Sequence, residues 1–179
     1  MKMIEVKREP TDAFFRKQVK ELIDSADKEI IVIAGELSAY DFHDLKLAAE
    51  SAQDRGVKIR IYASRPDQDT VNRLVYNGCE VYLGTEKPKD HYMIVDRTSY
   101  MISKKEKASR TRTRVGSRHS KKYINDPKGA RELVDYFKKL TKKAEKAEIK
   151  GKDPLIKALD SPVDWGVETD SSKIHDYLR

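Results

Sequence analysis

The sequence predicts an α/β domain, a mixed sheet flanked by helices, followed by a short C-terminal appendage. Three observations predict it. In the first half of the chain, apolar runs of strand length alternate with segments of helical period. One run, "KEIIVIAG", has no polar break, as a strand covered on both faces requires. Past residue 90 the alternation stops, and short strands joined by a tight turn replace it.

In chain order, "TDAFFRKQVKELIDSA" follows Pro10, with Thr11 placed to cap a helix. Its Phe14, Phe15, Val19, Leu22, Ile23 and Ala26 fall at helical spacing. The strand "KEIIVIAG" comes next. Residues 41–55 read as a second helix, with Phe42, Leu45, Ala49 and Ala52 inward and Gly56 ending it. "VKIRIYA" is a strand, "DQDTVNRLVYNG" a short helix closed by Gly78, and "CEVYLG" another strand. Strands alternating with helices imply a largely parallel arrangement here. "HYMIVD", a turn at Arg97-Thr98-Ser99 and "YMIS" then form a hairpin. "SRTRTRV" reads as a further strand, with Arg110, Arg112 and Arg114 on one face. The last long helix spans "INDPKGARELVDYFKKLTKKAEKAE", capped by Asp126, with Pro127 in its first turn. Its buried stripe is Ala130, Leu133, Val134, Phe137, Leu140 and Ala144. A boundary near Gly151 divides a domain at 1–150 from an appendage at 151–179, which holds the only tryptophan, Trp165.

Composition narrows the classes. No stretch approaches the ~18 apolar residues of a membrane span. "MKMIEVKREP" shows no apolar signal region, so a cytoplasmic protein without a membrane partner is expected. The single cysteine, Cys79, excludes an internal disulfide framework and a cysteine-based zinc site. Alternation with Val81 and Leu83 makes it a core residue. No histidine pair has metal-ligand spacing, and the eight glycines form no phosphate-cradling loop. Neither metal nor cofactor is expected.

The net charge is +7, and its placement is more telling than its size. Residues 104–122, "KKEKASRTRTRVGSRHSKK", carry nine Lys or Arg against one Glu. The remaining residues hold 28 bases and 29 acids. A near-neutral domain with all its excess in one segment points to a polyanionic partner.

With these elements in order, the chain resembles the phospholipase D superfamily, in size and layout its single-repeat, Nuc-like members that dimerise. The resemblance rests on "SADKEIIVIAG", "LAAESAQDRGVKIRIYAS", "HYMIVD" and "YINDPKGARELVDYFKKL", over about residues 10–148. It implies a phospholipase D-like fold and a homodimer. The family motif reads His-x-Lys, four residues, Asp, six residues, Gly-Ser, two residues, Asn. Anchored on Asp96, the His slot holds Lys89 and the Lys slot His91. The Gly-Ser slot is Ser103-Lys104 and the Asn slot Lys107. Only the aspartate matches, so the motif is degenerate.

In the family an imidazole attacks phosphorus, a second imidazole protonates the leaving oxygen, and lysine steadies the charge on the non-bridging oxygens. Lysine is ordinarily protonated near neutral pH and has no lone pair to attack with. His91 sits two positions away, roughly 6.6 Å along a strand, where a ~1 Å error can cost about a hundredfold. Sliding the motif so that His91 fills the His slot puts Met93 in the Lys slot and leaves Asp96 two residues early. Catalysis is therefore not expected; if the chain is active, His91 is the residue that acts.

Binding survives these changes. The expected phosphate contacts are Lys89, His91, Lys104, Lys105, Lys107, Arg110, Arg112, Arg114 and Arg118, with Asp96 as a structural residue. The expected partner is DNA or RNA, gripped by its backbone. Tyr92, Tyr100 and Tyr123 lie close enough in sequence to stack on bases, but amphipathic core edges use tyrosine routinely. Two other classes remain open: a metal-independent nuclease or phosphodiesterase with a rearranged centre, and a regulatory, ligand-sensing module. Anionic lipid fits less well, since no amphipathic helix sets large apolar residues against the charge.

Overall fold

The computed structural model describes residues 1–8, 13–37, 43–105 and 118–148. The Thr11 cap, Phe42, the strand expected over 109–115 and the appendage expected over 151–179 lie outside the described residues. The elements are β1 (Lys2–Arg8), α1 (Ala13–Asp24), β2 (Glu29–Ala34), α2 (His43–Asp54), β3 (Lys58–Ala63) and α3 (Gln68–Tyr76). After them come β4 (Glu80–Leu83), β5 (His91–Val95), β6 (Ser99–Lys105), β7 (Arg118–Ile124), α4 (Pro127–Thr141) and β8 (Glu145–Lys146).

The strands form one sheet in the order β1-β7-β6-β5-β2-β3-β4-β8. Only β2–β3 and β3–β4 are parallel, as helical crossovers dictate. The other pairs are antiparallel, so parallel pairing is confined to the segment where helices separate the strands. β2 is buried on both faces because the sheet has two cores. Ile30, Val32, Ile59, Ile61, Val81, Met93, Val95 and Met101 pack with buried residues of α1, α2 and α3. Ile31, Ile33, Tyr62, Ile94 and Tyr100 pack beneath Val134, Phe137 and Leu140 of α4. Cys79 is buried in the first core, and burial pushes its thiol up to about 11.

The helix ends follow local chemistry. Gly56 and Gly78 leave α2 and α3 at φ +83° and +82°, the left-handed region open to glycine. Asp126 accepts the Gly129 amide at 3.2 Å and Pro127 occupies the first turn of α4. A Cβ at Gly129 would stand 2.4 Å from the Tyr100 hydroxyl oxygen, so this close approach requires glycine.

Two strands were not anticipated from the sequence, and the last helix ends earlier than expected. β1 is a strand, paired along its length with β7. The strand beside β6 is 118–124. The last helix stops at Thr141, because Glu145 and Lys146 pair with Leu83 and Tyr82. Ala144 packs in the α4 core and Ala147 in the other, so the chain crosses the sheet edge there instead of continuing a helical stripe.

Two charged groups lie within this framework. Lys122 is 6% exposed; its Nζ donates to Gln18 Oε1 at 3.1 Å and to Glu21 Oε2 at 3.5 Å. A buried ammonium with such partners is costly, and an apolar chain of similar length fills the same space without the desolvation. Lys122→Met should change unfolding free energy by less than about 1 kcal/mol, whereas Lys122→Ala should lose about 2–4 kcal/mol to the cavity; urea denaturation compares the two.

Glu29, at the start of β2, accepts hydrogen bonds from Arg60 and Arg97. Burial works to raise its pKa, but the bonds from Arg97 and Arg60 outweigh it and hold the carboxyl below its ordinary 4.5. The unfolded chain thus takes up the proton first. The stabilisation is complete above the ordinary value and disappears as pH falls through the lower, folded one. Between neutral and acid pH, wild-type stability should fall more steeply than that of Glu29→Gln. Denaturation series at stepped pH test this, and parallel curves would contradict it.

Candidate nucleic-acid interface

The site is assembled by β5, β6, β7 and β1. Its anchor is the β5–β6 turn, Asp96 to Thr98, closed by the Thr98 amide on Val95 O at 3.0 Å. Asp96 and Arg97 both adopt positive φ, 50° and 57°. The Asp96 carboxylate accepts the amides of Asp27 and Lys28 at 2.8 Å and of Glu29 at 2.9 Å. Its own amide donates to Glu29 O at 3.0 Å. Asp96 is thus occupied in tying the hairpin to the amides that lead into β2 and open it.

From this anchor, register places everything else. Met93 and Val95 face the α1–α3 core, so His91, two positions earlier, shares their side. It is half-buried and opposite Ser103, which is opposite Ser120. The two serine hydroxyls share a buried hydrogen bond of 2.7 Å. Lys89 precedes β5 and is exposed. Lys104 is exposed too, but alternation puts it on the α4 side of the sheet, away from His91. These groups therefore share an end of the sheet and divide between its faces.

That end gathers more positive charge than the motif region alone suggests. By backbone register, Lys105 is opposite Arg118, which is opposite Arg8. Lys104 is opposite His119, which is opposite Lys7. Residues directly opposite on antiparallel strands lie about 5 Å apart. Two rows of basic residues thus cross three adjacent strands. Lys7 and Arg8 were missed from sequence because β1 was; Ile4 and Val6, two apart before Pro10, are the signal that could have found it. Lys107, Arg110, Arg112 and Arg114 lie outside the described residues, within the 106–117 segment that joins the two strand ends.

The tyrosines engage other tyrosines. Tyr100 stacks on Tyr123 with centroids 4.7 Å apart, and Tyr92 meets Tyr136 edge-on at 6.0 Å. Burial, then the nearby Asp90 charge, pushes Tyr92 up to about 12. Among the described residues, no group of three or more His, Cys, Asp or Glu could hold a metal ion.

Solved structures share this architecture. Nuc from Salmonella typhimurium, a phospholipase D family member, matches with TM-score 0.64 at 18% identity, over 82% of this chain and 99% of that one. NucT from Helicobacter pylori matches at 0.61 and 15% identity, over 82% and 100%. TrmBL2, an archaeal chromatin protein with a novel mode of DNA binding, matches at 0.59 and 19% identity, over 82% of this chain and 55% of its own. The fold is therefore phospholipase D-like. At these identities the likeness is one of fold; no protein-family model and no curated protein matches the chain.

Asp96→Ala should destabilise the domain by about 2–3 kcal/mol, because three amides lose their acceptor and alanine fits positive φ poorly. Asp96→Gly should recover part of that loss, since glycine removes the backbone strain. Equal stability of the alanine variant and wild type in urea would refute the clamp.

Proposed function

We propose that this chain is a catalytically inactive protein of phospholipase D-like fold that binds nucleic acid through its backbone phosphates, as a cytoplasmic homodimer. The observation that carries this reading is the pair of basic rows at the end of β6, β7 and β1. In the Lys105–Arg118–Arg8 row, like charges set opposite one another cost the free protein about 0.2–1 kcal/mol per pair. A row of phosphates relieves that repulsion and releases counterions, which a small anion does far less well. The segment 104–122, with nine Lys or Arg and one Glu, begins and ends in these strands.

Loss of catalysis follows from the anchored register. With Asp96 tied to the start of β2, position 89 supplies a lysine and position 91 an imidazole two residues away. A second copy of the chain would double the cations and still bring no imidazole to position 89. Phosphate contacts fix position without reading bases, so binding should vary little with sequence.

Anisotropy titrations over a salt series test this, with cleavage read from the same samples in chelator. Affinity should fall steeply, with a log–log slope near 0.9 per phosphate contact, and the nucleic acid should stay intact. Arg118→Gln should weaken binding and reduce the slope by about 0.9, while raising the stability of the free protein by up to about 1 kcal/mol. A flat salt response, or cleavage abolished by His91→Ala, would overturn the reading.

A further inference from the structure

A second concentration of positive charge lies on α4 and the turn after it, away from the strand ends. Between residues 128 and 143 the chain carries six Lys or Arg against Glu132 and Asp135. The cations are Lys128, Arg131, Lys138, Lys139, Lys142 and Lys143, and all are exposed. The inner stripe of Ala130, Val134, Phe137 and Leu140 is buried on the sheet, so the helix turns its charged residues outward. A whole-chain balance hides this surface, because acids elsewhere cancel it.

The hairpin turn adds a recess at its lower end. A cavity of about 310 Å³ is lined by Arg97, Pro127, Arg131, Val134, Asp135 and Lys138. Asp135 accepts from Lys138 at 3.1 Å, and Arg97 is bonded to Glu29. Arg131 has no carboxylate partner among the described residues. The space is about ten times the ~30 Å³ share of one water, enough for a hydrated phosphate group. Arg97 sits at one end of β6 and Lys105 at the other, roughly 20 Å apart at strand rise.

We infer that the outer face of α4, with the Arg97–Arg131–Lys138 recess, is a second phosphate-backbone contact, so that one protein bridges two nucleic-acid segments. The inference rests on the nucleic-acid reading of the strand ends and adds a surface which that reading does not use. A membrane is the weaker partner: among the described residues the large exposed apolar side chains are Met1, Met3, Leu47 and Tyr76, none of them on α4. Charge without apolar anchors suits a phosphate polymer better than a bilayer.

The test is a two-duplex pull-down on the full chain. A biotinylated duplex on beads captures a fluorescent duplex only if protein joins them, and anisotropy with one duplex runs in parallel. Wild type should bind one duplex and capture the second. The triple variant Arg131→Gln, Lys138→Gln, Lys142→Gln keeps good helix formers at exposed positions. It should lose capture by about tenfold or more at moderate salt, with a much smaller loss of single-duplex affinity. Circular dichroism checks that the variant is folded. Capture by the triple variant equal to wild type would overturn the inference, since a dimer would then bridge through its strand ends alone. Binding without capture by wild type would overturn it as well. With single-stranded and duplex DNA and RNA included in the anisotropy arm, absence of any binding by wild type would remove the strand-end reading itself, and this inference with it.

Discussion

One carboxylate sets the register on which the rest of the site depends. Asp96 accepts the amides of Asp27, Lys28 and Glu29, while its amide bonds back to Glu29 O. The end of β5 is thereby tied to the start of β2, which fixes the pairing of Ile30 with Val95 and of each residue above them. A slip of one residue would exchange the faces of β5, sending Met93 and Val95 toward α4 and Ile94 into the other core. The Glu29 side chain reinforces the same corner through Arg97 and Arg60. Two residues at positive φ, each costing on the order of 1 kcal/mol, persist in the turn because these bonds determine it.

The chemistry at the far end of the hairpin follows from that clamp. No small shift can carry His91 into the place of Lys89, because the shift would have to be two residues and both cores oppose it. Beside His91 the sheet interior is polar but closed on itself: Ser103 and Ser120 bond to each other, and Lys122 bonds to Gln18 and Glu21. The outer positions of the same strands carry basic residues. Stability is thus concentrated at the turn and in the apolar middle, and the strand ends hold the charge.

Much of this fold could be read from the chain. β2 and β3 are rich in β-branched residues, β4 is a short apolar alternation between Gly78 and Gly84, and Asp126-Pro127 announces α4 at its first residue. β7 was harder for a physical reason. Its inward positions are Ser120 and Lys122, satisfied by hydrogen bonds, so apolar alternation does not mark it. Arg110, Arg112 and Arg114 alternate with Thr, a strand-like pattern in sequence that 118–124 lacks. β1 becomes a strand only through pairing with a segment more than a hundred residues away. "KKAEKAE" favours helix by composition, but the free edge of β4 takes Glu145 and Lys146 as a ladder. For the site, Lys89, His91 and Lys104 were legible as neighbours, but their division between two faces needed the register.

Binding and catalysis place different demands on such a scaffold. Attack on phosphorus tolerates an error of about 1 Å only at a large loss of rate, so it depends on one residue at one register position. Contact with a phosphate backbone needs charge and reach, and long Lys and Arg side chains supply both without close placement. A lysine at position 89 and a histidine at position 91 therefore bear differently on the two demands: the first turns on which residue holds one register position, and the second does not. Affinity built this way is distributed: each cation contributes a graded share, and additional basic surface, as proposed for α4, would extend it without disturbing the clamp. The fold depends on a few bonds at one corner, and the proposed grip on a phosphate polymer would depend on the number of charges presented elsewhere.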